Sequence, residues 1–282
     1  MCACHAYDPG SNPGGRVFYI HPSLGACHVS LWKAPAFTPP GAGIPMSTTE
    51  KRANVFTEEG RILQVEYAIK NVANAGTIAG LVCTDGVLVI GIKKGSSTGG
   101  HEKIYKVCSN IYCAVSGLFS DCIRVVKQAR LKAHDVLEEL GVVYPVSTLA
   151  RIIGEMKQRL TQIGGTRPFG VAMLYIGEED GKYVMFSTDP SGTVGEWKGK
   201  CYGENEDAIN TAMKKEFADK TLCLDEATTK MFSILASARE LGEKEADIVE
   251  VLHFKGAFST YVGTEHISAI LREIQDTQGK TR

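Results

Sequence analysis

The helix-forming segments of this chain arrive in consecutive pairs between groups of strands. Apolar residues recur at helical spacing over 120–140 and 147–162, and again over 205–218 and 224–240. A single helix between two strands is the connection that produces a parallel sheet, whereas paired helices suit antiparallel sheets. The order therefore predicts an α+β fold, a four-layer αββα sandwich in which two antiparallel sheets lie between helix pairs.

Short apolar segments fill the intervals between the helix pairs. The segment 86–92 is apolar at almost every position, which is typical of a strand covered on both faces, as expected where two sheets stack. Thr84-Asp85-Gly86 precedes it and predicts a hairpin turn. The complete set of predicted strands is 77–84, 86–92, 104–108, 111–116, 170–176, 182–187, 193–198 and 247–254, with outer helices at 58–74 and 264–276.

Small and polar residues mark the expected helix ends. Gly76 and Gly141 stand where a helix C terminus favours a left-handed residue. Ser120 and Asp121 are candidate N-caps of the helix 120–140. The helix 58–74 is expected to bury one apolar stripe, formed by Ile62, Val65, Ile69 and Val72.

The first part of the chain differs in composition from the rest. Seven of the ten prolines lie between Pro9 and Pro45, and Asp8 is the one acidic residue before Met46. Because proline at this density blocks helices and sheet ladders, residues 1–48 are predicted to be a disordered arm. The compositional change beside Met46 suggests that translation starts there, and 49–282 form the predicted domain.

Composition also excludes several functional classes. The net charge of −1 does not favour nucleic acid or an anionic membrane as a partner. No apolar run approaches the ~20 residues that cross a bilayer. The nine cysteines contain no CxxC pair, and no HxxxH or HExxH spacing occurs, so no metal site and no cofactor are predicted.

A long motif carries a family resemblance. The segment 56–68, Phe-Thr-Glu-Glu-Gly-Arg-Ile-Leu-Gln-Val-Glu-Tyr-Ala, resembles the signature of proteasome α subunits. Arg167-Pro168-Phe169-Gly170 and Asp189-Pro190-Ser191-Gly192 are similar to two further motifs of that family. The resemblance covers about 50–276, and the fold it implies is the αββα sandwich.

The resemblance implies a non-catalytic subunit of the 20S core particle. Such a chain assembles with other α subunits into a seven-membered ring, stacks on the β-ring subunits, controls substrate access and docks a regulatory particle or other activator. The implied setting is ubiquitin-dependent degradation in the cytoplasm and nucleus. Segments such as Leu174-Tyr175-Ile176-Gly177 resemble most the type-4 α subunits, in the third ring position. Ring contacts are implied for Phe56, Gly60, Arg61, Gln64, Glu66 and Tyr67.

The chain departs from the family pattern near the implied gate. The Tyr-Asp pair that family members carry before the signature aligns here with Thr49 and Glu50, close to Arg52. Thr49 lacks an aromatic ring, so its part in ordering the gate is in doubt. The Ser-Pro of the signature is also replaced, by Thr57-Glu58.

Catalysis in active β subunits of this family depends on an N-terminal threonine whose own amino group serves as the base. Gly76 aligns with that nucleophile and has no side chain, while Thr77 comes one residue late. Cleavage before either residue would remove the signature helix. The alternative, an active N-terminal threonine hydrolase of the β type, would have to use Thr77 as its nucleophile. A third possibility is a small-molecule-binding αββα protein that forms no ring.

Lys103 aligns with the lysine that lowers the pKa of the nucleophile in active β subunits. In α subunits the matching lysine faces a pocket between neighbours, where it can pair with the C-terminal carboxylate of an activator. The resemblance therefore implies that Lys103 and Gly76 line an activator pocket.

Overall fold

The computed structural model describes residues 54–94, 101–163, 166–218, 221–239 and 241–279. The predicted arm 1–48, Met46 and the first residues of the predicted domain lie outside the described residues.

Six α-helices, ten strands and two short 3₁₀ helices, Glu243–Ile248 and Gly256–Phe258, occur in the described part of the chain. The helices are α1 Leu63–Ala73, α2 Phe119–Leu140, α3 Val146–Gln162, α4 Glu206–Phe217, α5 Leu224–Arg239 and α6 Thr264–Gly279. The strands are β1 Ile78–Val82, β2 Val87–Ile92, β3 Ile104–Lys106, β4 Ile111–Gly117, β5 Val171–Glu179, β6 Lys182–Thr188, β7 Val194–Glu196, β8 Gly199–Tyr202, β9 Val249–Phe254 and β10 Thr260–Tyr261.

The strands form two five-stranded antiparallel sheets. The first has the order β10-β9-β2-β1-β8 and the second the order β3-β4-β5-β6-β7. The turn between β1 and β2 is closed by a hydrogen bond from the Cys83 amide to the Gly86 carbonyl, so the predicted hairpin is confirmed.

Three apolar clusters define the layers. One fills the space between the sheets and includes Val87, Leu174 and Phe254. A second joins the outer face of the first sheet to α4, α5 and α6, and a third joins the outer face of the second sheet to α2 and α3. The predicted four-layer αββα sandwich is confirmed, and β2 is buried at all of its positions because both of its faces are covered.

The expected strand 193–198 is observed as the shorter β7, and the chain directly after it enters the other sheet as β8. Residues of β7 pair with β6, whereas β8 pairs with β1 in the other sheet. The Trp197 amide still bonds to the Met185 carbonyl, and the next carbonyl, that of Lys198, accepts from Val82. The chain therefore crosses between the sheets at Trp197–Lys198.

Two expected helix signals have other roles. Asp121 is no N-cap, because α2 begins after Leu118 and has no side-chain cap. The Asp121 carboxylate instead accepts two hydrogen bonds from Arg167, at 2.6 and 2.8 Å, and one from the Gly170 amide at 3.1 Å. Gly76 is not in a left-handed conformation either, although Gly141 is, with φ of 65°.

The first helix is shorter and more exposed than expected. Residues 57–60 form a turn, so α1 begins only at Leu63. Of the predicted apolar stripe Val72 is buried, while Ile69 is 40% exposed. None of the helices in the described ranges is both long and apolar enough to cross a membrane.

Candidate functional site

The site is built around the carbonyl oxygen of Gly76, just before β1. The hydroxyl of Ser116, at the end of β4, donates a 2.9 Å hydrogen bond to this oxygen. The ammonium of Lys103, just before β3, donates a second one at 3.3 Å. The two sheets therefore meet at this carbonyl, and Gly76 and Lys103, which the resemblance paired, do lie together.

Position 76 has no room for a side chain. A Cβ atom there would lie 2.4 Å from the carbonyl oxygen of Ile92 and 2.9 Å from the ammonium nitrogen of Lys103. The Ile92 oxygen belongs to the backbone of β2 and cannot rotate away as a side chain could. Glycine is required here by the close approach of two chain segments and not by backbone conformation.

The backbone of Lys103 is fixed by hydrogen bonds to the Glu250 carboxylate of β9. One carboxylate oxygen of Glu250 accepts from the backbone amides of Lys103 and Ile104, at 2.8 and 3.2 Å. The other pairs with the ammonium of Lys93 at 2.9 Å. Glu250 thus fixes the backbone of residue 103 and leaves the Lys103 ammonium without a close carboxylate among the described residues.

Burial lowers the pKa of the Lys103 ammonium, because a low-dielectric environment disfavours its charged form. Cys122 and Glu250 act in the opposite direction, and Arg239 acts in the same direction as burial. Lys103 is a partly desolvated cation, which interacts more strongly with an incoming anion than an exposed lysine does.

Thr77 is buried beside this carbonyl. Its hydroxyl donates a 3.0 Å hydrogen bond to the carbonyl oxygen of Glu204, and it is 1% exposed. The amide of Glu204 bonds in turn to the carbonyl of Ala75 at 3.1 Å. Thr77 therefore ties β1 to the loop after β8, and its oxygen faces the protein interior.

The predicted ring-contact residues lie on α1 and in the turn and segment before it. Arg61 and Glu66 form a bidentate ion pair on the surface, and Gly60 occupies the left-handed conformation with φ of 76° in the turn before the helix. Phe56 is 70% exposed and Tyr67 is 58% exposed.

Gln64 is half-buried on α1. The gate residues Thr49, Glu50 and Arg52 lie outside the described residues. The ring-contact and gate assignments stay predictions.

Sequence reasoning missed three residues of this site. Ser116, Glu204 and Glu250 all lie far from Gly76 in the chain. Their contribution depends on the packing of separate strands, and no local sequence pattern reports it. No group of three or more His, Cys, Asp or Glu side chains able to hold a metal ion occurs within the described ranges.

Comparison with known proteins matches the sequence to one family. The model of the family described as proteasome subunit matches residues 72–253. The chain is 48% identical over 229 residues to a probable proteasome subunit alpha type-3 of Encephalitozoon cuniculi, covering 81% of this chain and 99% of the relative. It is 33% identical over 210 residues to the proteasome subunit alpha type-4 of Spinacia oleracea, covering 72% and 84%.

A third relative is the proteasome subunit alpha type-4 of Drosophila melanogaster, 37% identical over 177 residues, which are 61% of this chain and 67% of the relative. The relatives thus carry both the type-3 and the type-4 designation. By family model, identity and coverage, the chain belongs to the proteasome subunit family, among its α-type members.

Proposed function

We propose that this chain is a non-catalytic structural and gating subunit of the α ring of the proteasome core. The observation that carries the proposal is the closed position at Gly76, where family members that cleave peptides have their nucleophile. A side-chain nucleophile there would overlap the Ile92 carbonyl. Glycine at this position also supplies no hydroxyl or thiol that a neighbouring amine could activate.

The runner-up is an active threonine hydrolase that uses Thr77. The burial of Thr77 and the hydrogen bond from its hydroxyl to Glu204 argue against it. N-terminal sequencing of the native subunit together with a fluorogenic-peptide assay of the isolated chain tests the two functions. A chain beginning at Thr77, or peptide cleavage abolished by Thr77→Val, would overturn the non-catalytic proposal.

The second part of the proposal concerns activator docking. Lys103 presents a partly desolvated ammonium whose nearest acceptor is a neutral carbonyl oxygen, so a peptide carboxylate is a better partner. Replacing Lys103 by Met should weaken binding of an activator with a free C-terminal carboxylate by about tenfold or more. The matched control is Lys230→Met, which alters an exposed ion pair with Glu216. Equal activator affinity in wild type and Lys103→Met would remove Lys103 from the docking role.

The third part concerns assembly and gating. Exposed Phe56, Tyr67 and Ile69 on and before α1 supply apolar surface that a neighbouring subunit can cover. The proposed partners are six further α subunits, the β ring and a regulatory particle, in ubiquitin-dependent degradation in the cytoplasm and nucleus. Native mass spectrometry of the purified complex tests the assembly, and a chain that enters no large particle would favour the small-molecule-binding alternative.

The ring position and the gate also belong to the proposal. We assign the chain to the type-4 group and the third ring position on its motif similarity, with Thr49, Glu50 and Arg52 in the gate region. Cross-linking of the assembled ring identifies the two neighbours and thereby tests the position. For the gate, Glu50→Ala should raise peptide hydrolysis by the activator-free particle if this segment helps to close it.

A further inference from the structure

Arg239, the last residue of α5, is a mostly buried cation with an incomplete set of partners. Its side chain is 19% exposed, and the nearest carboxylate oxygen, on Glu204, is 3.6 Å away. One terminal nitrogen, Nη1, is buried and has no hydrogen-bond partner in the part of the chain that the structure describes. Because burying an unpaired guanidinium N–H is costly, this arrangement calls for an explanation.

Glu204 connects Arg239 to the two residues on either side of Gly76. The backbone of Glu204 bonds to Ala75 through its amide and to Thr77 through its carbonyl, at 3.1 and 3.0 Å. The preceding residue, Gly203, has φ of 106°, and a Cβ atom there would lie 2.9 Å from the Gly76 oxygen. Residues 203–204 (the 203–204 clasp) are therefore bonded to both neighbours of Gly76. The Arg239 guanidinium lies 3.6 Å from the Glu204 carboxylate of this clasp.

Lys103 and Arg239 are two cations of this region, and neither has a carboxylate oxygen closer than 3.6 Å among the described residues. The Glu250 carboxylate is fully used by Lys93 and by two backbone amides. The carboxylates of the 203–204 segment are that of Glu204, 3.6 Å from Arg239, and that of Glu206, which accepts a 3.1 Å hydrogen bond from the Gly203 amide. The Arg239 charge also acts on the Lys103 ammonium, whose pKa it helps to lower. Two like charges in a partly buried site are favourable only if an anion joins them.

We propose that Arg239 is a positioning residue of the Lys103 pocket, which holds the 203–204 clasp through Glu204 and adds a second positive charge toward a bound peptide carboxylate. This proposal rests on the docking role proposed for Lys103. It makes Glu204 the residue that sets how much of the Arg239 charge the ligand experiences. The carboxylate that binds Lys103 is stabilised at longer range by Arg239, without touching it.

Two substitutions with opposite expected effects test this idea. Core particles containing the variant subunit are titrated at low salt with a rhodamine-labelled hexapeptide, Gly-Ser-Gly-Leu-Ala-Ala, as the free acid and as the C-terminal amide. Arg239→Met removes the charge and keeps much of the side-chain length, and should weaken binding of the acid about fivefold. Glu204→Gln keeps the backbone hydrogen bonds of the clasp and removes the negative charge that partly neutralises Arg239. It should strengthen binding of the acid about threefold. The amide should bind alike in all particles.

The controls separate this proposal from the docking role itself. Arg272→Met removes an exposed arginine that pairs with Glu243, and should leave both titrations unchanged. If Lys103→Met abolishes the difference between acid and amide but neither Arg239→Met nor Glu204→Gln changes it, the Arg239 proposal is wrong and the docking role stands. If Lys103→Met also has no effect, the docking role fails. A loss of acid and amide binding to the same extent in Arg239→Met would reduce Arg239 to a purely structural residue.

Discussion

The ammonium of Lys103 and the carbonyl oxygen of Gly76 are joined by a 3.3 Å hydrogen bond across the two sheets. Lys103, which the family resemblance aligns with a lysine that assists the nucleophile of active β subunits, here contacts a backbone oxygen at a position without a side chain. The same closeness that prevents a nucleophile at residue 76 keeps the ammonium in place. Four predictions follow from this site and from the packing around it.

Replacing Gly76 by Ala should destabilise the fold by about 2–4 kcal/mol, because the new methyl group would overlap the Ile92 carbonyl of β2. Urea denaturation of the purified subunit measures the change. Gly263→Ala is the matched control, since a Cβ atom there meets nothing within 4 Å. Equal losses in the two variants would contradict the close approach.

Asp121→Asn should cost about 1–3 kcal/mol, because it breaks the ion pair with Arg167 and weakens the acceptor of the Gly170 amide. Burial raises the pKa of Asp121, but the hydrogen bonds from Arg167 and Gly170 outweigh it, so the pKa lies below its ordinary value. The stabilisation by Asp121 is therefore present above the unfolded-state pKa and is lost as the pH falls through the folded-state pKa.

The measurement for Asp121 is the difference in unfolding free energy between wild type and Asp121→Asn from pH 7 down to pH 3. We expect the difference to shrink on acidification. Asp135→Asn, which alters an exposed pair with Lys132, serves as the comparison and should change little at any pH. A constant difference across the range for Asp121→Asn would speak against the ion pair.

Lys157 should make stability increase with pH. Its ammonium is fully buried and donates to the Thr188 hydroxyl and to the carbonyl oxygens of Val171 and Thr188. Burial lowers its pKa to about 7. Between that value and the higher pKa of an unfolded lysine, the unfolded state binds more protons, so the unfolding free energy rises with pH by up to about 1.4 kcal/mol per unit.

Denaturant unfolding at pH 6.5 to 9.5 checks the Lys157 prediction against a Lys157→Met variant, which has no titrating group at this position. The unfolding free energy of wild type minus that of the variant should increase as the pH increases. Burial raises the pKa of the buried cysteine thiols in the folded protein, so over this range they lose protons mainly in the unfolded state, in wild type and variant alike. A difference that stays level with pH would show that Lys157 keeps its proton throughout.

Thr77→Val should leave peptide hydrolysis by the assembled core particle unchanged. The substitution removes a buried hydrogen bond to the Glu204 carbonyl, so the subunit should lose about 1 kcal/mol of stability. Fluorogenic-peptide turnover and thermal unfolding of the same preparation give both readouts. Loss of turnover in a particle that still assembles would restore Thr77 as a nucleophile.

The periodic segments were sufficient to predict the layers. The run 86–92 is apolar throughout because β2 is covered on both faces, and each paired helix has one apolar stripe because one side of it is buried. These two patterns led to the αββα sandwich. Local rules failed where tertiary contacts decide. Asp121 satisfies the rule for a helix cap, yet its carboxylate binds Arg167, 46 residues away in the chain. Gly76 satisfies the rule for a helix end, yet it is constrained by β2.

The candidate site was predictable only in part. The pairing of Gly76 with Lys103 came from family resemblance, and the structure places them together. The surrounding residues Ser116, Glu204 and Glu250 come from three other segments, which no spacing in the sequence connects. Arg239 looked like an ordinary helix-terminal residue, because a basic side chain is common in the last turn of a helix.

The crossing of the chain at Trp197–Lys198 has a mechanical consequence. Because β7 is bonded into one sheet and β8 into the other, a sliding motion between the sheets would stretch a covalent link of a few residues. The strand β8 also pairs with β1, directly after Gly76, and leads into the clasp at Gly203. A force applied at the proposed docking site is therefore shared by both sheets, and we expect the subunit to tilt as a rigid block under such a force, with no shear inside the sandwich.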